Sequence, residues 1–203
     1  EHVGEIPASL PVLPLKGTVV FPGAMAPLAI GEERSIRLIE DVVDSASRMV
    51  ALVTARDADV SEPGPEMLYD IGTVAVIQRM MKVPDGTLRV LAQGVERARI
   101  GPYSSTSPYL VAAVATMPQE PQQSKEIEAL SRNIQTIFIC IIDLVPYLPD
   151  ELELAVANVQ DPNLLTHIIA SSMRFATGER QELLAEVDLT KRLRRITVLL
   201  NRE

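Results

Sequence analysis

Hydrophobic positions change their period near the middle of the chain. Up to about residue 118 they fall in short runs and alternations broken by Pro, Gly and Asp, the pattern of β-strands. Beyond it they recur every three or four positions, the pattern of amphipathic helices. The first half is organised around residues 10–43, LPVLPLKGTVVFPGAMAPLAIGEERSIRLIEDVV. Residues 10–15 predict a short apolar strand. Pro11 and Pro14 cannot donate to a sheet ladder, so an edge or irregular strand is expected. Turns at Lys16-Gly17 and Pro22-Gly23 flank 18–21, and 25–30 predicts another strand. Residues 32–44 predict a helix with Ile36, Ile39, Val42 and Val43 on one face. Its first turn carries acids, where the helix dipole favours them.

Residues 48–55 predict a buried strand, and 56–69, with Pro63, Gly64 and Pro65, a loop. Two long strands, 71–83 and 87–100, meet at Val83-Pro84-Asp85-Gly86-Thr87. Asp-Gly suits a tight two-residue hairpin, whereas Pro84 suits a type I turn with Gly86 in the left-handed region. The two differ in register, and a slip of one residue exchanges the faces of a strand. Residues 101–108 predict a loop and 109–117 a further strand. With connections mostly too short for parallel crossovers, at least six strands and one helix make a mostly antiparallel unit.

The polar stretch 118–124, PQEPQQS, reads as a linker. After it, Ile127, Leu130, Ile134, Ile137, Phe138, Ile141 and Val145 lie at helical spacing until Pro146 and Pro149 end the run. A short helix over 150–159 follows. Asp161-Pro162 starts another over 163–175, Thr177 is a candidate cap for 178–186, and Asp188 for a last helix striped by Leu189, Leu193, Ile196 and Leu200. The expected class is α+β, with a β-rich domain over 1–118 and a helical domain over 119–203.

Composition narrows the function. Hydrophobic residues make up 47% and charged residues 23%, the balance of a globular protein. Aromatics are only 3% and Trp is absent, so stacking platforms for single-stranded nucleic acid are scarce. A net charge of −8 argues against binding nucleic acid or an anionic membrane by charge neutralisation. The single cysteine excludes an internal disulfide and points to a reducing compartment. The N-terminus has no signal-peptide pattern, and the longest apolar run, 137–142, is far short of a membrane span. The chain starts at Glu1 and ends at Glu203 inside a running helical pattern, so a piece of a longer protein is expected.

Motifs for catalysis are missing from these residues. There is no G-x-x-x-x-G-K-[ST], no G-x-G, no G-x-S-x-G and no H-E-x-x-H. The histidines are His2, in the N-terminal tail, and His167, in a predicted helix between Leu164 and Ile168, so a His-based triad or multi-His zinc site is not available. Cys140, in IFICIID, is either a reactive thiol or a small buried hydrophobe. With no basic partner nearby in sequence, the buried hydrophobe is expected. His167 is expected to be a core or rim histidine rather than a general base. Lys191, Arg192, Arg194, Arg195 and Arg202 make the last helix basic. The choice is between a patch for an acidic partner and the solvated face of an amphipathic helix, and the second is favoured.

Met80-Met81 is the pair most suggestive of binding. Neighbours in a strand point to opposite faces, so one methionine faces the core and the other faces away. The outward one lies beside Gln78 and Lys82 if it is Met80, or beside Arg79 if it is Met81. A flexible thioether side chain on a surface suits promiscuous apolar contacts. The alternative is that the helical half covers this face. Phe21, Met25 and Leu28 belong either to the same surface or to the interior.

Four stretches, in order, carry a family resemblance: LPVLPLKGTVVFPGAMAPLAIGEERSIRLIE (10–40), YDIGTVAVIQRMMKVPDGTLRVLAQGVERARI (69–100), YLVAAVATM (109–117) and ERQELLAEVDLTKRLRRITVLLNRE (179–203). Together they resemble the N-terminal domain of Lon-type ATP-dependent proteases across nearly the whole chain. The resemblance implies a PUA-like, barrel-like β subdomain followed by a helical bundle whose last helix continues towards an ATPase ring. It further implies recognition of unfolded or degron-bearing proteins and assembly into a homo-hexamer, in the cytoplasm, while the acidic balance leaves no nucleic acid or membrane expected as partner. No cofactor is expected in these residues. ATP, Mg²⁺ and the Ser-Lys peptidase site would belong to other modules of a parent endopeptidase. The resemblance also makes Glu32, Glu33 and Arg34 candidates for substrate contact, beside their local reading as a dipole-matched helix start. The rival readings are a free-standing adaptor or receptor built on the same domain, an RNA-binding module of the PUA-like kind, and an enzyme.

Overall fold

The computed structural model describes residues 4–203, so His2 lies outside the described residues. The chain divides into two compact units, Glu1–Pro118 and Gln119–Glu203. The first holds strands β1 (Ser9–Leu15), β2 (Met25–Ile30), β3 (Met49–Thr54), β4 (Ile71–Lys82), β5 (Leu88–Ser105) and β6 (Val111–Thr116), with helix α1 (Glu33–Asp44) between β2 and β3. The strand order is β2-β5-β4-β3-β1-β6, and β6 also pairs with β5. The ring β1–β3–β4–β5–β6 therefore closes on itself, barrel-like, with β2 added at β5. β1 and β3 run parallel and every other pair is antiparallel.

Of the edge or irregular strand that its prolines suggest, β1 is the irregular one. It lies between β3 and β6, and the sheet accommodates the prolines by dividing the strand. Ser9–Pro11 pair with β6, and Val12–Leu15 with β3. Val12 N–H donates to Leu110 O at 2.8 Å, and backbone groups alternate sides along a strand. Pro14 thus lacks its N–H on the β6 side, past the end of that pairing, and Pro11 lacks its own on the β3 side, before pairing starts. No ladder bond is lost. The loop expected over 101–108 is corrected: β5 runs on to Ser105 because β6 pairs with its second half, and two register shifts absorb the Gly-Pro-Tyr irregularity.

Residues 18–21 form no strand. They are pinned by threonine hydroxyls instead: Thr54 Oγ1 donates to Thr18 O (2.7 Å) and Thr73 Oγ1 to Val20 O (2.6 Å). The pinning presses Phe21 against β5, where a Cβ on Gly94 would lie 2.3 Å from Phe21 O, so only glycine fits. The turn at 83–87 takes its type I form. Gly86 N–H donates to Val83 O (3.0 Å), Val83 N–H to Thr87 O (2.9 Å), and Gly86 has φ +91°.

All six residues of β3 are buried, because both its faces are covered. Val50 and Leu52 join Leu13, Ile77, Leu88 and Val90 beneath Leu38, Ile39 and Val42 of α1. Ala51 and Val53 join Val12, Val74, Ala98 and Ala112 in the second core. Burial of this aliphatic area is the main stabilising term, in place of aromatic packing.

The second unit holds α2 (Lys125–Leu144), α3 (Glu151–Ala157), α4 (Pro162–Ser172), α5 (Thr177–Ala185) and α6 (Leu189–Arg202). Local caps start three of them: Ser124 accepts from Ile127 N–H, Asp161 from Asn163 N–H, and Asp188 from Lys191 N–H. Thr177, expected as a cap, is the first residue of α5. Ala176 is the N-cap position, and Glu179 reaches back to accept from its N–H at 3.1 Å. Cys140 is exposed, not buried. Ile134, Phe138, Ile141 and Ile142 form the buried stripe of α2, and Cys140 stands about 200° around the helix from Phe138.

Candidate protein-binding surface

The two methionines of β4 part as neighbours in a strand must. Met80 packs in part against the core beneath α1, while Met81 is 63% exposed. A bulge decides which is which. Ala75 and Ile77 face the α1 core, and continued alternation would bring Met81 to that side. The register shift between Ile77 and Arg79 inserts one residue, and Met80 turns inward instead.

Three strands then present one outward face. Met81 stands opposite Arg89, and Arg89 opposite Ala29. Arg79 stands opposite Leu91, and Leu91 opposite Pro27. Gln93 stands opposite Met25. Met25 is 49% exposed, and Leu91 is half-buried between its neighbours. The result is an apolar strip of Met25, Pro27, Ala29, Leu91 and Met81 with arginines beside it. A shallow groove of about 770 Å³ runs over this face, lined by Pro27–Ala29, Arg79–Met81 and Arg89–Val90. Pro27 sits on β2, which pairs only with β5 among the described residues. Gly94 N–H donates to Ala24 O, so the alternation turns the backbone groups of Met25, Pro27 and Ala29 towards the open edge. Pro27 removes one donor there, which blunts the edge without breaking the sheet.

Of the other candidates, Phe21 and Leu28 are interior residues: the pinned 18–21 segment buries the first, and the inward phase of β2 buries the second. Glu32 and Arg34 hold local structure. Glu32 pairs with Lys16 and accepts from Glu62 N–H at 3.4 Å, while Arg34 Nη2 donates to Pro63 O at 3.0 Å. Both therefore tie the start of α1 to the 56–69 loop. Glu33 is exposed at the first turn of α1. Leu91 and Arg89 were not singled out by sequence, because their role comes from cross-strand register, which no local signal reveals.

The basic stripe of α6 is not one solvated face. Arg192 is only 1% exposed, since it lies on the same side of α6 as Leu189, Leu193 and Ile196. Arg194 pairs with Glu126, Arg195 lies 3.7 Å from Glu182, and Arg202 reaches Glu179 at 2.8 Å. The Arg202 guanidinium holds the Glu179 carboxyl below its usual range. Acids of the same unit thus offset most of the positive charge. His167 is buried in α4. Among the described residues, no three His, Cys, Asp or Glu side chains converge as metal ligands, and no helix is long and apolar enough to cross a membrane.

A closed strand ring with one added strand, and a separate helical unit, make a mixed α+β protein. Solved domains share this fold. The N-terminal domain of Mycobacterium avium complex Lon protease superposes with a TM-score of 0.78 at 23% identity, covering 95% of this chain and 98% of that one. A Lon N-terminal domain protein from Xanthomonas campestris gives 0.66 at 21%, covering 94% and 97%. The chain belongs to the family of the ATP-dependent protease La (LON) substrate-binding domain, whose model matches residues 9–202. It is 37% identical over 199 residues to the Lon protease of Dictyoglomus thermophilum, covering 98% of this chain and 25% of that protein. It is 39% identical over 197 residues to that of Koribacter versatilis, covering 96% and 24%. The chain thus spans about a quarter of the length of these relatives.

Proposed function

We propose that this chain is the substrate-recognition and assembly domain of an ATP-dependent Lon-type protease, and that it captures unfolded or damaged proteins on the β2–β5–β4 face. The observation that carries this reading is Met81, 63% exposed in an apolar strip that folding leaves open. Burying a methionine of this kind against a partner's apolar side chain contributes about 1.5–3 kcal/mol. Three rotatable bonds let it fit many shapes, which suits a receptor for unrelated sequences. Contacts of this strength are weak singly. In a homo-hexamer several copies would act on one unfolded chain, and effective concentration would raise the avidity. ATP and Mg²⁺, and the Ser-Lys chemistry of peptide hydrolysis, would belong to the rest of a longer cytoplasmic protein. The family membership and the acidic charge support protein over nucleic acid or membrane as the partner.

The experiment is fluorescence anisotropy of a labelled, permanently unfolded protein titrated with this chain, with the same protein folded as control. Selective binding to the unfolded form, lost in Met81→Asp while the variant keeps its circular dichroism, is expected. Equal titration curves for unfolded and folded protein would overturn the reading.

A further inference from the structure

Two arginines stand on the Met81 face without a salt bridge among the described residues. Arg79 is two residues from Met81 on the same face of β4, and Arg89 is directly across from Met81 on β5. Their Cα atoms are thus roughly 7 Å and 5 Å from that of Met81. A third cation near the turn end of this hairpin, Lys82, is paired with Glu40 at 2.9 Å. Arg89 acts through space on Asp85, but Asp85 Oδ1 is held in the turn, accepting from Thr87 N–H and Oγ1 at 2.9 and 2.7 Å. A chain of net charge −8 therefore places two available guanidinium groups around the most apolar part of its open face.

We propose that this face selects among apolar segments by charge, preferring those with Asp or Glu one or two residues from the apolar side chain that covers Met81. This rests on the reading of the same face as a site for unfolded protein. A guanidinium binds a carboxylate through two parallel N–H donors, and each arginine also covers an adjoining aromatic or aliphatic side chain with its flat face. A lysine-flanked segment would bring like charges together beside Arg79 and Arg89. The long-range field of an acidic protein acts the other way and draws basic segments in. The sign of the preference is therefore diagnostic of the local pair.

The test uses three labelled peptides with one apolar centre, Leu-Phe-Ala-Leu, and paired flanks of Asp, Asn or Lys, titrated with the chain in low and high salt. Affinity should fall in the order Asp, Asn, Lys, with an Asp-to-Lys ratio of about tenfold at low salt that shrinks to about twofold near 1 M salt. In the Arg79→Gln/Arg89→Gln double variant the Asp preference should be lost at every salt concentration, leaving at low salt only the tilt towards Lys that the acidic chain imposes, and in Arg79→Glu/Arg89→Glu the tilt towards Lys should grow. Equal binding of the three peptides, or tighter binding of the Lys peptide, would overturn the charge selection and leave the capture of apolar segments standing. An Asp preference that survives in the double Gln variant would also overturn it. Binding of none of the three would overturn both.

Discussion

Arg192 Nη2 donates to Gln119 Oε1 at 2.7 Å, across 73 positions of sequence. The same guanidinium donates to Glu186 O at 2.7 Å through Nη2, and to Asn163 Oδ1 and Thr166 Oγ1 at 3.2 Å through Nη1. One buried fork thus gathers α4, α6, the α5–α6 turn and the first residue of the helical unit. Arg192→Leu would leave these acceptors buried and unmatched, at a cost of about 3 kcal/mol. Arg192→Lys should recover little of it, because an ammonium cannot reproduce the planar fork. Urea denaturation followed by circular dichroism checks both.

Gly94→Ala should destabilise the β unit by about 2–3 kcal/mol, since its Cβ would lie 2.3 Å from Phe21 O and backbone must shift. Gly178→Ala, in open space within α5, should instead stabilise by about 0.5 kcal/mol. Thermal melts of the two variants should move in opposite directions.

Tyr103 has its hydroxyl pushed up to about 12, by burial first and by the charge of Asp70 second. Its folded value lies above the unfolded one, so the unfolded state loses the proton first. The contribution is fully present below pH 10 and fades as pH rises from 10 towards 12. Ultraviolet titration should show one tyrosine ionising last, near pH 12, and Tyr103→Phe should flatten the fall of stability across that window.

Pro27→Thr should restore an N–H donor at the open edge of β2 and invite strand pairing between molecules. Light scattering after size exclusion should show added dimer or aggregate, with the monomer melting temperature little changed.

Much of the fold was legible in the sequence because its signals are local. A cap joins residues two or three positions apart, as at Asp161 and Asp188, so neighbouring side chains suffice to specify it. The period of the apolar residues separated strands from helices, and neighbouring strand positions required that Met80 and Met81 face opposite ways. Where local signals mislead, a distant partner had overruled them. Prolines left β1 as an edge or an irregular strand, and only half-pairing on each side made it an irregular interior one. A basic run marked Arg192 as solvated, yet helical phase carried it inside.

The family resemblance, the alternation of strands and the helix starts at Asp161 and Asp188 were determined by the sequence alone. The tertiary structure decided which methionine faces out. That depends on one inserted residue between Ile77 and Arg79, and a bulge exists only relative to the strand beside it. It likewise decided that Arg89 and Leu91 share the face with Met81 and Pro27, because cross-strand neighbours follow from register between segments far apart in the chain.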